Sequence, residues 1–124
     1  MRKLPGLVLW FALPLIASCV RPATEGGFDS PNPAARLYAI EQAARAGDAS
    51  ALAQLVEQLD SDDVAVRFLA ISALGRLTGR TFDYRHYDAP IQREAAIRRW
   101  VEYLEAHPPP APSDGPERGA KQHG

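Results

Sequence analysis

Residues 59–79 read LDSDDVAVRFLAISALGRLTG, and this stretch decides the fold. Its apolar side chains recur at the three- and four-residue spacing of an α-helix, which predicts a helix over 62–77. Asp60 or Ser61 can serve as its N-cap, and Gly79 marks its end. One apolar face consists of Val66, Leu69, Ala70, Ala73, Leu74 and Leu77, and a second consists of Val64, Phe68 and Ile71. A helix that is apolar on two sides is expected to be buried at the centre of the domain.

The chain repeats itself at a spacing of 31 residues. When 29–47 is aligned with 60–78, 7 of the 19 positions are identical. The identical pairs are Asp29 and Asp60, Ser30 and Ser61, Ala34 and Ala65, Arg36 and Arg67, Ala39 and Ala70, Ile40 and Ile71, and Arg45 and Arg76. Because capping positions and core positions match together, the alignment predicts an internal repeat of one helical unit.

The first helix of the domain is predicted over 32–46. Ser30 or Asn32 can cap it, Pro33 suits its first turn, and Gly47 ends it. Proline near the start and glycine just past the end form the asymmetry that is typical of a complete helix.

Two further helices are predicted over 49–59 and 90–106, with Asp48 and Asp88 as their caps. The first has an apolar stripe made of Leu52, Leu55, Val56 and Leu59. The second has an apolar side made of Ile97, Trp100, Val101 and Leu104. The helix over 90–106 does not align with the 31-residue repeat, so we expect it to act as a terminal cap with a polar outer face.

The acidic turn and helix quoted above resemble one unit of the HEAT-like repeats found in phycobilisome lyases and many bacterial proteins. Such a unit has an acidic turn, a Val-Arg pair and a small-residue helix that ends in Leu-Gly, here Val66, Arg67, Leu74 and Gly75. The resemblance implies an all-α fold, a short HEAT-like α-solenoid of about four antiparallel helices over 32–106. Arg67 lies one turn beyond Asp63, with which it is expected to pair.

Residues 1–18 read MRKLPGLVLWFALPLIAS and have the organisation of an export signal. Arg2 and Lys3 precede an apolar run of 14 residues over 4–17. That length suits the core of a signal peptide and is short for a membrane-spanning helix, which needs about 20 residues. An ordinary secretory signal and an uncleaved anchor helix are alternatives to the lipoprotein signal described next.

The run from Ile16 to Cys19 resembles the lipobox of bacterial lipoproteins, in which an aliphatic residue and two small residues precede a cysteine. The resemblance implies that Cys19 is lipidated and that 19–31 tethers the domain to the periplasmic face of the inner or outer membrane. In Gram-negative lipoproteins an aspartate after the cysteine directs retention in the inner membrane. This chain has Val20 at that position, which is compatible with sorting to the outer membrane. Similar small lipoproteins also share the pattern seen here over 77–84 and 97–100.

Residues 107–124 are rich in proline and almost free of apolar side chains, so they are predicted to be a disordered tail. One Pro-x-x-Pro match runs from Pro109 to Pro112, and it fits either a spacer or a ligand for a proline-binding groove. The remaining folded part is small, and a core of this size is usually marginal.

Composition argues against several classes of function. The chain has a net charge of −1 and no basic stripe, which argues against a nucleic-acid interface. Its single cysteine excludes an intrachain disulfide and a cysteine-based zinc site. None of the usual signatures of a catalytic serine, a phosphate-binding loop or a zinc protease is present. We therefore predict no catalytic residue, no metal and no cofactor.

The segment 80–89, RTFDYRHYDA, is the one dense cluster of polar and aromatic residues. It is either a connecting loop whose Phe82 and Tyr84 cover the open end of the core, or a binding element. Tyrosine and arginine are common interface anchors. The candidate partner-binding residues are therefore Tyr84, Arg85, His86 and Tyr87. His86 with Asp83 and Asp88 forms only a weak ligand set for a metal.

A second basic cluster, Arg98 and Arg99 beside Trp100, has the composition of an anion site. On an amphipathic helix such charges are more often solvated, with the aromatic residue in the core. The sequence thus predicts a membrane-anchored adaptor or scaffold that binds another protein of the cell envelope. The alternatives are an accessory factor of an enzyme, as in the lyases, and a passive structural lipoprotein.

Overall fold

A computed structural model describes residues 26–111. The chain forms four α-helices there: α1 (Pro33–Ala46), α2 (Leu52–Glu57), α3 (Val64–Thr78) and α4 (Pro90–Ala106). Single 3-10 turns precede α1 at Gly27–Asp29 and flank α2 at Ala49–Ala51 and Gln58–Asp60. No strand occurs between residues 26 and 111, so the predicted all-α class is confirmed. The predicted export signal and the predicted lipidation site at Cys19 lie outside the described residues.

The caps of the first two helices follow the sequence pattern. Asn32 is the N-cap of α1, where its Oδ1 accepts a hydrogen bond from the Ala34 N–H at 3.0 Å. Gly47 ends α1 with a φ of 64°, a left-handed conformation that favours glycine. Asp48 caps the turn that leads into α2 by accepting from the Ser50 N–H at 2.9 Å.

Two predicted caps are wrong. Asp63, and neither Asp60 nor Ser61, caps α3 by accepting from the N–H groups of its first turn at 2.8 and 3.2 Å. The helix consequently begins at Val64 instead of residue 62. The N-cap of α4 is Ala89 instead of Asp88, and it provides no side-chain hydrogen bond. Proline at the first helical position of α4 already removes one of the N–H groups that a cap would satisfy.

The helices form two layers around one core. α1 packs against α3 in one layer, and α2 packs against both α3 and α4. The largest fully buried side chains come from all four helices and the turn after α2: Ile40, Leu55, Leu59, Val66, Leu74 and Trp100. This arrangement of two stacked helical units confirms the short solenoid implied by the resemblance.

The burial of α3 agrees with the prediction on one side only. Val66 and Leu74 on the first predicted face are fully buried. On the second face Ile71 is buried, but Val64 and Phe68 are 51% and 50% exposed, so the expectation that both faces are covered is wrong. A helix in the middle of a solenoid has a neighbour on each side, whereas α3 has α1 on one side and a loop on the other.

The last connection departs from the alternating direction of α1, α2 and α3. In the α3–α4 loop, residues 79–89, His86 lies beside Phe68 in the first half of α3. Phe82, which follows the end of α3, packs against Trp100 in the second half of α4. The loop therefore returns along α3, and α4 runs in the same general direction as α3.

Leu74 tests the assignment of α3 as the central helix, because its side chain is fully buried. Leu74→Asp places an unpaired charge in the core, so we expect it to lower the free energy of unfolding by more than about 4 kcal/mol. Circular dichroism should show loss of the helical signal. Ala65→Asp, at an exposed position in the first turn of α3, is the control and should keep that signal.

Candidate functional site

The α3–α4 loop is held in place by the buried guanidinium of Arg67. Its Nε donates to the carbonyl oxygen of His86 at 2.9 Å, while its Nη1 donates to the carbonyls of Ser61 and Asp62 at 2.7 and 3.0 Å. Between residues 26 and 111 no ion pair joins Arg67 to Asp63, so the pairing predicted from their spacing is wrong. The carboxylate of Asp63 is used instead to cap α3.

Tyr84 fastens the same loop to the core. Its side chain is buried, and its Oη donates to the carbonyl oxygen of Leu59 at 2.5 Å. Burial raises the pKa of the Tyr84 phenol above its ordinary value of 10.0. The surrounding charges contribute less: Arg93 and Arg67 lower the pKa, and Asp60 and Asp88 raise it. The hydroxyl is a hydrogen-bond donor inside the protein, so Tyr84 is not available to contact a partner, contrary to our expectation.

The turn into the loop is strained, and aromatic packing compensates for the strain. Phe82 and Asp83 have φ values of 50° and 58°, and this left-handed conformation costs about 1–2 kcal/mol for each L residue. The Phe82 ring packs edge-on against Trp100 at a centroid distance of 4.7 Å, and it packs against Tyr103 at 5.5 Å with the two rings tilted by 55°. Such pairs stabilise by about 0.5–1.5 kcal/mol each beyond the area they bury. Phe82 and Tyr84 therefore cover the end of the core, as the loop interpretation predicts.

An apolar surface remains beside this loop, and we call it the open edge. It consists of Val64, Phe68, His86 and Tyr87. The His86 ring packs edge-on against Phe68 and against Tyr87, each at a centroid distance of 5.0 Å. Tyr87 is 67% exposed, more than either Val64 or Phe68. The loop thus brings two of its aromatic rings next to an exposed apolar stripe of α3.

The internal repeat explains why this stripe is apolar. Ile40 and Ala44 of α1 line a groove of about 220 Å³ together with side chains of α3, so this side of α1 faces the next unit. A shift of 31 residues relates them to Ile71 and Gly75 of α3, and Leu37 to Phe68. The equivalent side of α3 is therefore the one on which a third unit would stack. The loop covers only the part of this side near the C-terminal end of α3, where a Cβ atom on Gly75 would lie 3.8 Å from Thr81 Cγ2.

Three of the four candidate partner-binding residues lie at or near the surface. Arg85 and Tyr87 are exposed, and His86 is partly buried between Phe68 and Tyr87. Sequence reasoning missed Val64 and Phe68 as members of the same surface. The 31-residue alignment could have indicated them, because it shows that no third unit follows within the described residues.

A second cleft, of about 370 Å³, lies at the C-terminal end of α4. Its lining residues are Arg80, Phe82, Arg99, Glu102, Tyr103 and His107. The guanidinium carbon of Arg80 lies 5.5 Å from the centroid of the Tyr103 ring, and Arg99 Nη1 donates to the Phe82 carbonyl at 3.1 Å. Arg99 also lies 3.9 Å from a carboxylate oxygen of Asp83. These arginines are engaged in closing the end of the domain, and Trp100 beneath them is fully buried, as the core interpretation predicts.

Residues 26–111 were also considered as a metal site and as a membrane span by their side chains and helix lengths. In that range no three His, Cys, Asp or Glu side chains are grouped so that they could hold a metal ion. No helix of the same residues is long and apolar enough to cross a membrane. Between residues 26 and 111 the open edge combines exposed apolar side chains with packed aromatic rings.

Arg67→Met tests how the loop is held. The substitution keeps the aliphatic stem but leaves three carbonyl groups without their donor, so we expect the free energy of unfolding to fall by about 2–4 kcal/mol. Urea denaturation measures this change. Arg76→Met, at an exposed position of the same helix, is the matched control and should change stability by less than about 0.5 kcal/mol. Equal effects of the two substitutions would contradict the role of Arg67.

Tyr84→Phe tests the buried phenol through pH. Because the phenol ionises at a higher pH in the folded chain than in the unfolded chain, the stability of the wild type should fall as pH rises above about 10. The variant should lack this part of the decline, and below pH 10 it should be about 1–2 kcal/mol less stable, since Leu59 loses its donor. Tyr87→Phe, on the surface, is the control, and identical pH profiles for the two variants would count against the assignment.

Comparison with known proteins agrees with the repeat seen in the structure. A family model described as HEAT repeats matches residues 22–89, which include α1, α2, α3 and the α3–α4 loop. Searches of curated proteins and of solved structures give no match. HEAT repeats in general mediate contacts between proteins. Because two stacked helical units are present and the family model matches more than half of the chain, this protein belongs to the HEAT-repeat family.

Proposed function

We propose that the protein is a lipid-anchored interaction module of the cell envelope, in which Cys19 holds the chain on a membrane and the open edge docks another protein. The observation that carries the docking part is the exposure of Val64, Phe68 and Tyr87 side by side on the edge where a HEAT unit would stack. Exposed apolar surface at a position built for helix packing is typical of an interaction site.

The rigidity of the loop supports this role. Arg67 and Tyr84 fasten both ends of the segment that carries Arg85 and His86, through hydrogen bonds to backbone carbonyls. A surface that is already ordered loses little conformational entropy when a partner binds. Aromatic and arginine side chains on such a surface are common anchors of binding energy. Arg85, His86 and Tyr87 therefore belong to the proposed contact surface together with Phe68.

The anchor is supported by the lipobox-like run that ends at Cys19. Two or three acyl chains on one residue give stable membrane attachment, whereas one chain gives only reversible binding. The 7 residues 19–25 can span at most about 25 Å when fully extended, which keeps the domain close to the bilayer. The described chain enters through the turn Gly27–Asp29, which packs on α1. The open edge lies on the side of α3 that faces away from α1.

Cross-linked pull-down from membranes tests both parts of the proposal. We expect full-length wild type to recover a protein partner, and Phe68→Asp to reduce this recovery at least tenfold, since loss of a central aromatic anchor commonly costs about 2 kcal/mol or more. Tyr38→Asp is the matched control, because Tyr38 is a similarly exposed aromatic residue on α1. Circular dichroism of both variants verifies that the fold is intact.

The same membranes test the anchor. Cys19→Ser should leave the membrane fraction, or remain there only as an uncleaved precursor of larger mass. A Cys19→Ser chain that is processed normally and stays in the membrane would contradict lipidation. Recovery of the same partner by wild type and Phe68→Asp would contradict the open edge as the docking surface.

A further inference from the structure

We infer that residues 26–30 form a strap that closes the first helical unit and fixes the point at which the membrane tether leaves the domain. The strap consists of a bend at Gly26, the 3-10 turn Gly27–Asp29 and the buried Ser30. The inference rests on the proposed function only where it concerns the membrane, because the strap itself is defined by contacts within the domain.

The strap is the repeat equivalent of the turn that leads into α3. A shift of 31 residues relates the turn Gly27–Asp29 to the turn Gln58–Asp60, residue for residue. The serine that follows each turn, Ser30 or Ser61, donates its N–H to the carbonyl of the first turn residue, at 3.3 and 3.2 Å. The hydroxyl of the same serine accepts from the N–H two residues later, at 3.1 and 3.2 Å. The chain therefore folds in the same way before α1 as it does before α3.

The central residue of each turn offers its carbonyl to a side chain from later in the chain. Leu59 accepts from the Oη of Tyr84 at 2.5 Å, and the equivalent Phe28 accepts from the Nε2 of Gln58 at 3.2 Å. Gln58 is buried, and Phe28 packs against the hydrophobic core. Because a buried amide is costly unless it is hydrogen-bonded, Gln58 favours the folded strap over an open one.

The bend at Gly26 brings the start of the strap into close contact with Ser30. Gly26 has a φ of 93°, and a Cβ atom there would lie 3.0 Å from the Cβ of Ser30 and 3.2 Å from its Cα. Glycine is therefore required for its conformation and for lack of space. Gly27 also has a positive φ, of 55°, but a Cβ atom there would meet no atom within 4 Å. The close approach indicates that the chain is fixed from Gly26 onward.

A fixed strap shortens the free part of the tether that the sequence predicts over 19–31. The 7 residues 19–25 reach at most about 25 Å, whereas release of the strap would free all 13 residues and a reach of about 45 Å. With the proposed lipid anchor at Cys19, the strap would keep the first helical unit close to the bilayer. Gln58, which comes from the turn before α3, thereby couples the tether to the junction between the two units.

Hydrogen exchange read by mass spectrometry on the full-length protein in detergent tests the strap. In the wild type we expect the amides of 27–32 to exchange at least about tenfold more slowly than in an unstructured chain. Gln58→Met keeps the length of the side chain but removes the donor to Phe28, so it should raise the exchange rate of this segment about tenfold. The amides of 66–76 in α3 should keep their rates. Gln54→Met, at an exposed position of α2, is the control and should leave both segments unchanged.

Two further comparisons separate local release of the strap from a general loss of stability. Gly26→Ala should speed exchange over 27–32 more than Gly27→Ala, because both place alanine at a positive φ but only the first also crowds Ser30. Tyr84→Phe should speed exchange over 59–61 and leave 27–32 at the wild-type rate. This pair of glycine variants keeps the inference testable even if Gln58→Met does not fold.

Three results would overturn the strap. These are exchange of 27–32 at the unstructured rate in the wild type, an unchanged rate in folded Gln58→Met, and equal rates in the two glycine variants. Because exchange in detergent requires neither a partner nor a lipid, such a failure leaves the proposed function standing. Loss of the proposed function, seen as equal partner recovery by wild type and Phe68→Asp or as a normally processed Cys19→Ser in the membrane, would in turn leave the strap intact.

Discussion

The guanidinium of Arg67 is the contact on which the arrangement of the second helical unit depends. It donates to carbonyls on both sides of α3: Ser61 and Asp62 in the turn before the helix, and His86 in the loop after it. A buried arginine whose donors reach backbone carbonyls stabilises a particular course of the chain, because any other course would leave a buried charge without partners. The hydrogen bond from Tyr84 to Leu59 acts in the same direction.

The course of the α3–α4 loop determines which residues of α3 are exposed at the open edge. The loop returns along α3. Near the C-terminal end of that helix, where Thr81 approaches Gly75, it covers the side on which a third unit would stack. The loop turns away beside Phe68, so Val64 and Phe68 near the N-terminal end of α3 stay half exposed. The rings of His86 and Tyr87 lie next to them. The end of the solenoid is thus closed well enough to protect the core around Trp100. It also retains the apolar chemistry of a stacking surface, which makes it suitable for binding protein.

The helices could be predicted well because their signals are local. Asn32 caps α1, Gly47 ends it, and Asp48 begins the next element, each through contacts within a few residues. The four-residue spacing of Val66, Ala70 and Leu74 correctly predicted the central helix α3. The cap of α3 was misplaced because acidic and hydroxyl residues stand in a row over 60–63, and composition cannot show which one has the required extended backbone. The cap of α4 was misplaced by one residue, because Ala89 with its extended backbone takes the position expected of Asp88. Val64 and Phe68 were expected to be buried because apolar patterning cannot reveal whether a neighbour is present.

The sequence by itself determined the all-α class, the 31-residue repeat and the core positions of the HEAT units, since helix periodicity and capping depend on neighbouring residues. It also predicts an export signal over 1–18 and contains a lipobox-like run that ends at Cys19. Three features were decided only by the tertiary structure. The Tyr84 side chain points into the core, and Arg67 donates to backbone carbonyls instead of pairing with the carboxylate of Asp63. The open edge combines residues of α3 with residues of the loop. These features depend on contacts between segments up to 25 residues apart, and their geometry exists only after the helices have packed.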